Sequence, residues 1–110
     1  MRLIILGMGG YGRTIADVAE QTGMYEEIIF LDDQADQAMD TCASYWKYAD
    51  RDVQMYPAFG NNKLRTEWVE KLKKEGISVP MIVHPFAYVS PKAKLSEGCV
   101  VLPYAIINTE

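Results

Sequence analysis

Gly7-Met8-Gly9-Gly10-Tyr11-Gly12 carries the strongest chemical signal in this chain. It sets glycines in the order G-x-G-x-x-G between an aliphatic run and an amphipathic stretch. Glycines there let the backbone approach a pyrophosphate, whose charge is met by the free amides of a following helix N-terminus. Arg13 adds a cationic fork at the same end, and Asp32, twenty residues beyond Gly12, closes the next aliphatic run. A carboxylate in that place accepts from ribose hydroxyls. Gly9, Gly10, Tyr11, Gly12, Arg13, Asp32 and the neighbouring Asp33 are therefore candidate contacts to a nucleoside diphosphate. The plainer alternative is a glycine turn that serves only to pack a strand against a helix.

Gly60-Asn61-Asn62 follows a third apolar run and is expected at the same edge of the sheet. Open α/β folds bind ligands outside the carboxyl ends of their strands, so Gly60, Asn61 and Asn62 join the candidate pocket, although asparagine before a helix also serves as a simple cap. Arg65 either reaches an anion or solvates its helix face. His84, the sole histidine, precedes Pro85 with no acid or nucleophile close in sequence, which points to a structural role rather than general-base work. Tyr45 and Trp46 can stack on a base but suit core packing better. No catalytic residue is singled out. Cys42 and Cys99 stand apart without a C-x-x-C or Cys/His cluster, so no metal site is expected either.

These groups need elements to hold them. Arg2–Leu6 reads as a strand buried on both faces, and Ile15, Val18, Ala19 and Thr22 recur at helical spacing from Arg13 to the stop at Gly23. Ile28–Leu31 reads as a second strand, giving one β-α-β unit and hence a parallel sheet. Residues 34–52 read as a loop with at most one short element. Val53–Phe59 reads as a third strand, in which Pro57 argues for an edge or a kink. From Asn61 or Asn62 to Gly76 runs a helix with Leu64, Trp68 and Leu72 on one face and Glu67-Lys71 and Glu70-Lys74 as i,i+4 pairs. Met81–Val83 reads as a fourth short strand. The expected fold class is α/β, a small Rossmann-like parallel sheet with flanking helices over residues 1–84.

The last residues follow another period. In sixes they are AYVSPK, AKLSEG, CVVLPY and AIINTE, with Val89, Leu95, Val101 and Ile107 in the third place and Ala87, Ala93, Cys99 and Ala105 in the first. Neither a helix nor an ordinary strand has period six, whereas a hexapeptide β-helix turns one aliphatic side chain inward per face. Residues 85–110 are therefore expected to begin a left-handed parallel β-helix; irregular strands are the alternative. Three hexapeptides make one triangular coil, so this would be a fragment of a solenoid, either truncated or completed by another subunit.

Composition excludes other classes. The 110 residues are 49% hydrophobic and 24% charged, ordinary for one globular unit, and a net charge of -4 leaves no basic field to gather nucleic acid or anionic lipid. The opening MRLIILG is too short for a signal-peptide core, which suggests a cytoplasmic protein without membrane attachment.

With the glycine turn, IIFLDD, FGNN, the VHP junction and hexapeptides beginning AYVSPKA, the whole chain resembles the bacterial nucleotide-sugar acyltransferases, of the sialic acid O-acetyltransferase and UDP-4-amino-sugar N-acetyltransferase type. The resemblance implies an N-terminal Rossmann-like domain that holds the nucleotide-sugar. A left-handed β-helix follows, which forms homotrimers and binds acetyl-CoA between subunits. It further implies that Gly9 to Gly12 face the phosphates, Asp32 and Asp33 the nucleoside, and Gly60 to Asn62 the same pocket. Tyr11 stands where such proteins often carry histidine. The family's catalytic histidine belongs to later coils and His84 is not its equivalent, so the expectation is a chain that binds substrate without transferring acetyl groups and holds no cofactor by itself. Two other readings remain open: a dinucleotide-binding module for NAD(P), which suits the same glycines and aspartate, and a non-catalytic oligomerisation piece.

Overall fold

In the computed structural model, which describes residues 1–95, 98–102 and 105–107, three strands form a parallel sheet in the order β2-β1-β3. They are β1 (Arg2–Leu6), β2 (Glu27–Leu31) and β3 (Val53–Pro57), with Arg2 level with Glu27 and Val53. Alternation along the strands divides the core. Leu3 and Ile5 face helix α1 (Gly10–Thr22) and its Ile15, Val18 and Ala19. Ile4 and Leu6 face the opposite layer, which contains helix α2 (Asn62–Lys74). All four side chains are essentially inaccessible to solvent, and burying each such residue contributes roughly 1.5–3 kcal/mol. The aliphatic run of β1 is thus the centre of both halves of the core.

The ends of the helices follow from their sequences. α1 begins at Gly10, inside the glycine turn and earlier than its apolar spacing suggests, and stops at Gly23 in the left-handed conformation, φ 70°. Asn61 caps α2, its side-chain oxygen accepting from the Leu64 amide at 3.0 Å. Of the expected stripe on α2, Leu72 is buried, Trp68 half-buried and Leu64 exposed at the cleft rim. Lys71 forms no ion pair with Glu67. It lies 4.9 Å and 4.5 Å from the ring centroids of Tyr45 and Trp68 instead.

Within residues 34–52 the short element is a 3-10 helix, Cys42–Tyr48. A period of three places Cys42 and Tyr45 on one face, where both are buried against the sheet. β3 ends at Pro57, short of Phe59, and is the edge of the three-stranded sheet, where a missing N–H costs little.

β4 (Ile82–Val83) does not extend that sheet. It pairs in parallel with β6 (Val100–Val101), while β5 (Tyr88–Val89) pairs with β7 (Ile106–Ile107). Ile82 meets Val100 and Tyr88 meets Ile106, each partner eighteen residues on, which is three sixes. Val83 is therefore in register with Val89, Leu95, Val101 and Ile107, so the sixfold pattern starts one repeat earlier than composition alone suggests. In the sequence His84-Pro85 interrupts the apolar run and masks this first repeat. Val101 is buried, and Val83, Val89, Leu95 and Ile107 are half-buried.

Candidate functional site

The chain runs from β1 through α1 to β2 on one side, then returns across the sheet to β3 on the other side of β1. The two connections diverge at the carboxyl ends of β1 and β3. In an open α/β sheet that divergence leaves a crevice. A cleft of about 430 Å³ lies here, lined by Gly7, Gly9, Gly10, Tyr11, Asp32, Ala58, Phe59, Gly60, Asn61 and Leu64.

Its floor is the glycine turn. Gly7 has φ 108°, which L side chains rarely adopt, and a Cβ on Gly12 would come within 2.0 Å of the Gly7 carbonyl oxygen. Gly7 and Gly12 are thus required to fold the turn against the helix. Gly9 and Gly10 have open space where a Cβ would be and stand exposed at the mouth. Gly9 is the N-cap of α1, with no side chain accepting from the helix and no acidic residue in its first turn. The first intrahelical bond, from Arg13 N to Gly9 O, leaves the amides before it without helical acceptors. They form the positive end of α1 at the cleft. α2 opens at the same edge, but Asn61 already caps it.

Asp32 faces this turn with its carboxylate committed. Oδ2 accepts from Met8 N at 2.7 Å, and Oδ1 from Gln34 N at 2.8 Å and Ala35 N at 3.0 Å. These amides, Met8 foremost, hold its pKa below the ordinary carboxylate value. Oδ1 has both lone pairs engaged, and Oδ2 keeps one for a ligand. Asp33 turns elsewhere and accepts from Cys42 N at 3.0 Å, at the start of the 3-10 helix.

Of the residues singled out in the sequence, Gly9, Gly10, Tyr11, Asp32, Gly60 and Asn61 are brought together around the cleft. Gly12 lies beneath it, Arg13 and Asn62 are exposed outside its lining, and Asp33 is outside the lining too, turned toward the start of the 3-10 helix. Arg65 is drawn in beside them. Its guanidinium sits 4.9 Å from the Tyr11 ring centroid, Nη1 donates to Phe59 O at 3.3 Å, and Nη2 donates to Asn62 Oδ1. Leu64 and Phe59 are lining residues that sequence reading missed, because nothing separates them there from core positions.

His84 is not among the residues lining the cleft; it is 3% exposed and packs where α1 meets the coil, beside Gln21. Its Nδ1 accepts from Phe86 N at 3.0 Å, which leaves the proton on Nε2, 2.7 Å from Gln21 Oε1 of α1. Both nitrogens have partners. Tyr45 is core, donating to the Glu75 carboxylate at 2.5 Å, while Trp46 is 64% exposed. No cluster of three metal-ligating side chains occurs among the described residues, and no helix among them is long and apolar enough to cross a membrane.

The family described as the PglD N-terminal domain matches residues 2–72. The chain belongs to the PglD N-terminal domain family. Every residue lining the cleft falls inside that match. Among solved structures, the acetyltransferase domain of PglB from Neisseria gonorrhoeae FA1090 is 31% identical with a TM-score of 0.89, covering 96% of this chain and 55% of that one. The same domain in complex with acetyl coenzyme A is 32% identical with a TM-score of 0.90, covering 96% of this chain and 54% of that chain. PerB from Caulobacter crescentus, in complex with CoA and GDP-perosamine, shares the fold at 24% identity and a TM-score of 0.82, over 98% of this chain and 54% of that one. The PglD N-terminal domain chain described here thus spans about half the length of the solved structures it matches. Its resemblance to nucleotide-sugar acetyltransferases holds.

Proposed function

We propose that this chain binds a nucleotide-sugar for a sugar O- or N-acetyltransferase that takes its acetyl group from acetyl-CoA. The observation that carries the reading is the uncapped N-terminus of α1 opening into the cleft at the carboxyl ends of β1 and β3. Amide donors suit the diphosphate, and Asp32, Gly60 and Asn61 suit the nucleoside beside it. In this reading residues 1–84 hold the substrate, and 85–110 begin the left-handed β-helix, to which Ile82–Val83 contributes the first rung. The eighteen-residue pairing supports three hexapeptides per coil.

Homotrimeric assembly through that coil is part of the proposal. Phe86, Tyr88 and Ile106 are 66%, 56% and 69% exposed there, and clustered apolar surface favours association. His84 has no part as a base, since both its nitrogens serve the junction. The compartment proposed is the cytoplasm.

Thermal melting with UDP-N-acetylglucosamine, GDP-mannose or NADH tests the reading. A ligand present at a hundred times its Kd stabilises by about 2.7 kcal/mol, so a sugar nucleotide is expected to raise Tm and NADH to leave it unchanged. A rise with NADH alone would overturn the proposal in favour of a dinucleotide module.

A further inference from the structure

Two phenol groups connect the cleft to the coil. Tyr11 lines the cleft, and its hydroxyl lies 3.1 Å from that of Tyr56, a β3 residue only 1% exposed. Tyr56 donates in turn to the carbonyl oxygen of Gly98 at 2.6 Å. A phenol has one proton and a carbonyl can only accept. The proton of Tyr56 is therefore committed to Gly98, and in the pair of hydroxyls Tyr11 must be the donor. Tyr11 then has no proton left, and its oxygen meets a ligand as an acceptor alone.

The ring of Tyr11 is held as well as its hydroxyl. The Arg65 guanidinium sits 4.9 Å from the ring centroid, fixed by Phe59 O and Asn62 Oδ1, and the Tyr56 ring stands 6.4 Å away, tilted by 56°. Gly98, the far end of the relay, sits in the coil at φ 77°.

We propose that Tyr56 is a positioning residue: by donating to Gly98 and accepting from Tyr11, it makes the Tyr11 oxygen an acceptor for a hydroxyl or ammonium group of the sugar. The inference rests on the nucleotide-sugar reading above. Phosphate oxygens carry no proton at neutral pH and gain nothing from an acceptor, whereas the amides at the start of α1 can only donate. The two walls of the cleft thus divide the ligand, with amides on the diphosphate and the Tyr11 oxygen on the sugar.

The test is calorimetric titration of the full chain with UDP and UDP-N-acetylglucosamine, and with GDP and GDP-mannose, in the wild type, Tyr56→Phe, Tyr11→Phe and the double variant. Each single substitution is expected to reduce the preference for the sugar nucleotide over its nucleoside diphosphate by about three- to tenfold, the size of one hydrogen bond. The double variant is expected to lose little more than Tyr11→Phe alone, because both act through one oxygen. A Tyr56→Phe variant that melts lower but keeps the wild-type preference would reduce Tyr56 to a packing role and overturn the inference while leaving the nucleotide-sugar reading intact. A wild type that binds none of the four ligands would overturn that reading and the inference with it.

Discussion

Asp32 Oδ2 accepts the amide of Met8 at 2.7 Å, so the carboxylate at the end of β2 holds the middle of the glycine turn that leaves β1. Gln34 and Ala35 donate to its other oxygen. Asp32→Ala leaves these amides without their acceptor and is expected to cost about 1–3 kcal/mol at neutral pH. The contribution depends on pH with a definite sign. Because the folded pKa lies below the ordinary value of 3.8, stabilisation is complete above that value and is lost as pH falls through the lower, folded one. Urea denaturation of the wild type and Asp32→Ala should show a gap that is constant from neutral pH down to the ordinary carboxylate range and narrows below it. A gap that widens on acidification would contradict this assignment.

The glycines divide into two kinds, and substitution should separate them. Gly12→Ala forces a Cβ to 2.0 Å from a backbone oxygen, so helix and turn must move apart. We expect a loss of about 3 kcal/mol or more, in the range where strain and overpacking dominate. Gly10→Ala meets nothing within 4 Å and removes a flexible residue from the first helical position. Its stability should rise by up to about 1 kcal/mol, while the added methyl at the cleft mouth weakens sugar-nucleotide binding. Thermal melts with and without ligand measure both effects. Equal destabilisation by the two substitutions would show that the turn is organised differently.

Cys42 is 5% exposed, with Sγ 3.4 Å from Leu31 O. Burial, aided by the charges of Asp33 and Asp32, pushes its thiol up to about 12. A thiol needs its thiolate to react. One thiol per chain, Cys99, should therefore react with a disulfide reagent at pH 8 in the native protein, and Cys42 only after denaturation. Labelling of Cys42 in the native state, located by peptide mass, would contradict this.

Much of the layout was legible because it rests on local signals. Arg2–Leu6, the helix stops at Gly23 and Gly76, and the capping Asn61 are each specified within a few residues by hydrophobic run length, left-handed glycine or side-chain capping. The 3-10 helix was less legible, since only Cys42 and Tyr45 turn to the core and a single pair three apart is too short to mark a period. Met81–Val83 was recognisable as a strand, yet its partner was not. A two-residue strand carries no mark of which edge it joins, and Val100 lies eighteen positions away.

The cleft shows the same division. Sequence determined that glycines, a helix N-terminus and an aspartate would meet at one sheet edge, because the order strand, glycine turn, helix, strand leaves no other arrangement for a right-handed crossover. Only the tertiary structure decided how those groups are used. It committed Asp32 to three amides, turned Asp33 toward Cys42, joined Tyr56 and Gly98 to Tyr11 in one relay, and set Arg65 over the Tyr11 ring. Such contacts join residues that are far apart along the chain, so their partners are chosen by the packing of whole elements and by the need of each buried donor for an acceptor, neither of which leaves a trace in local spacing.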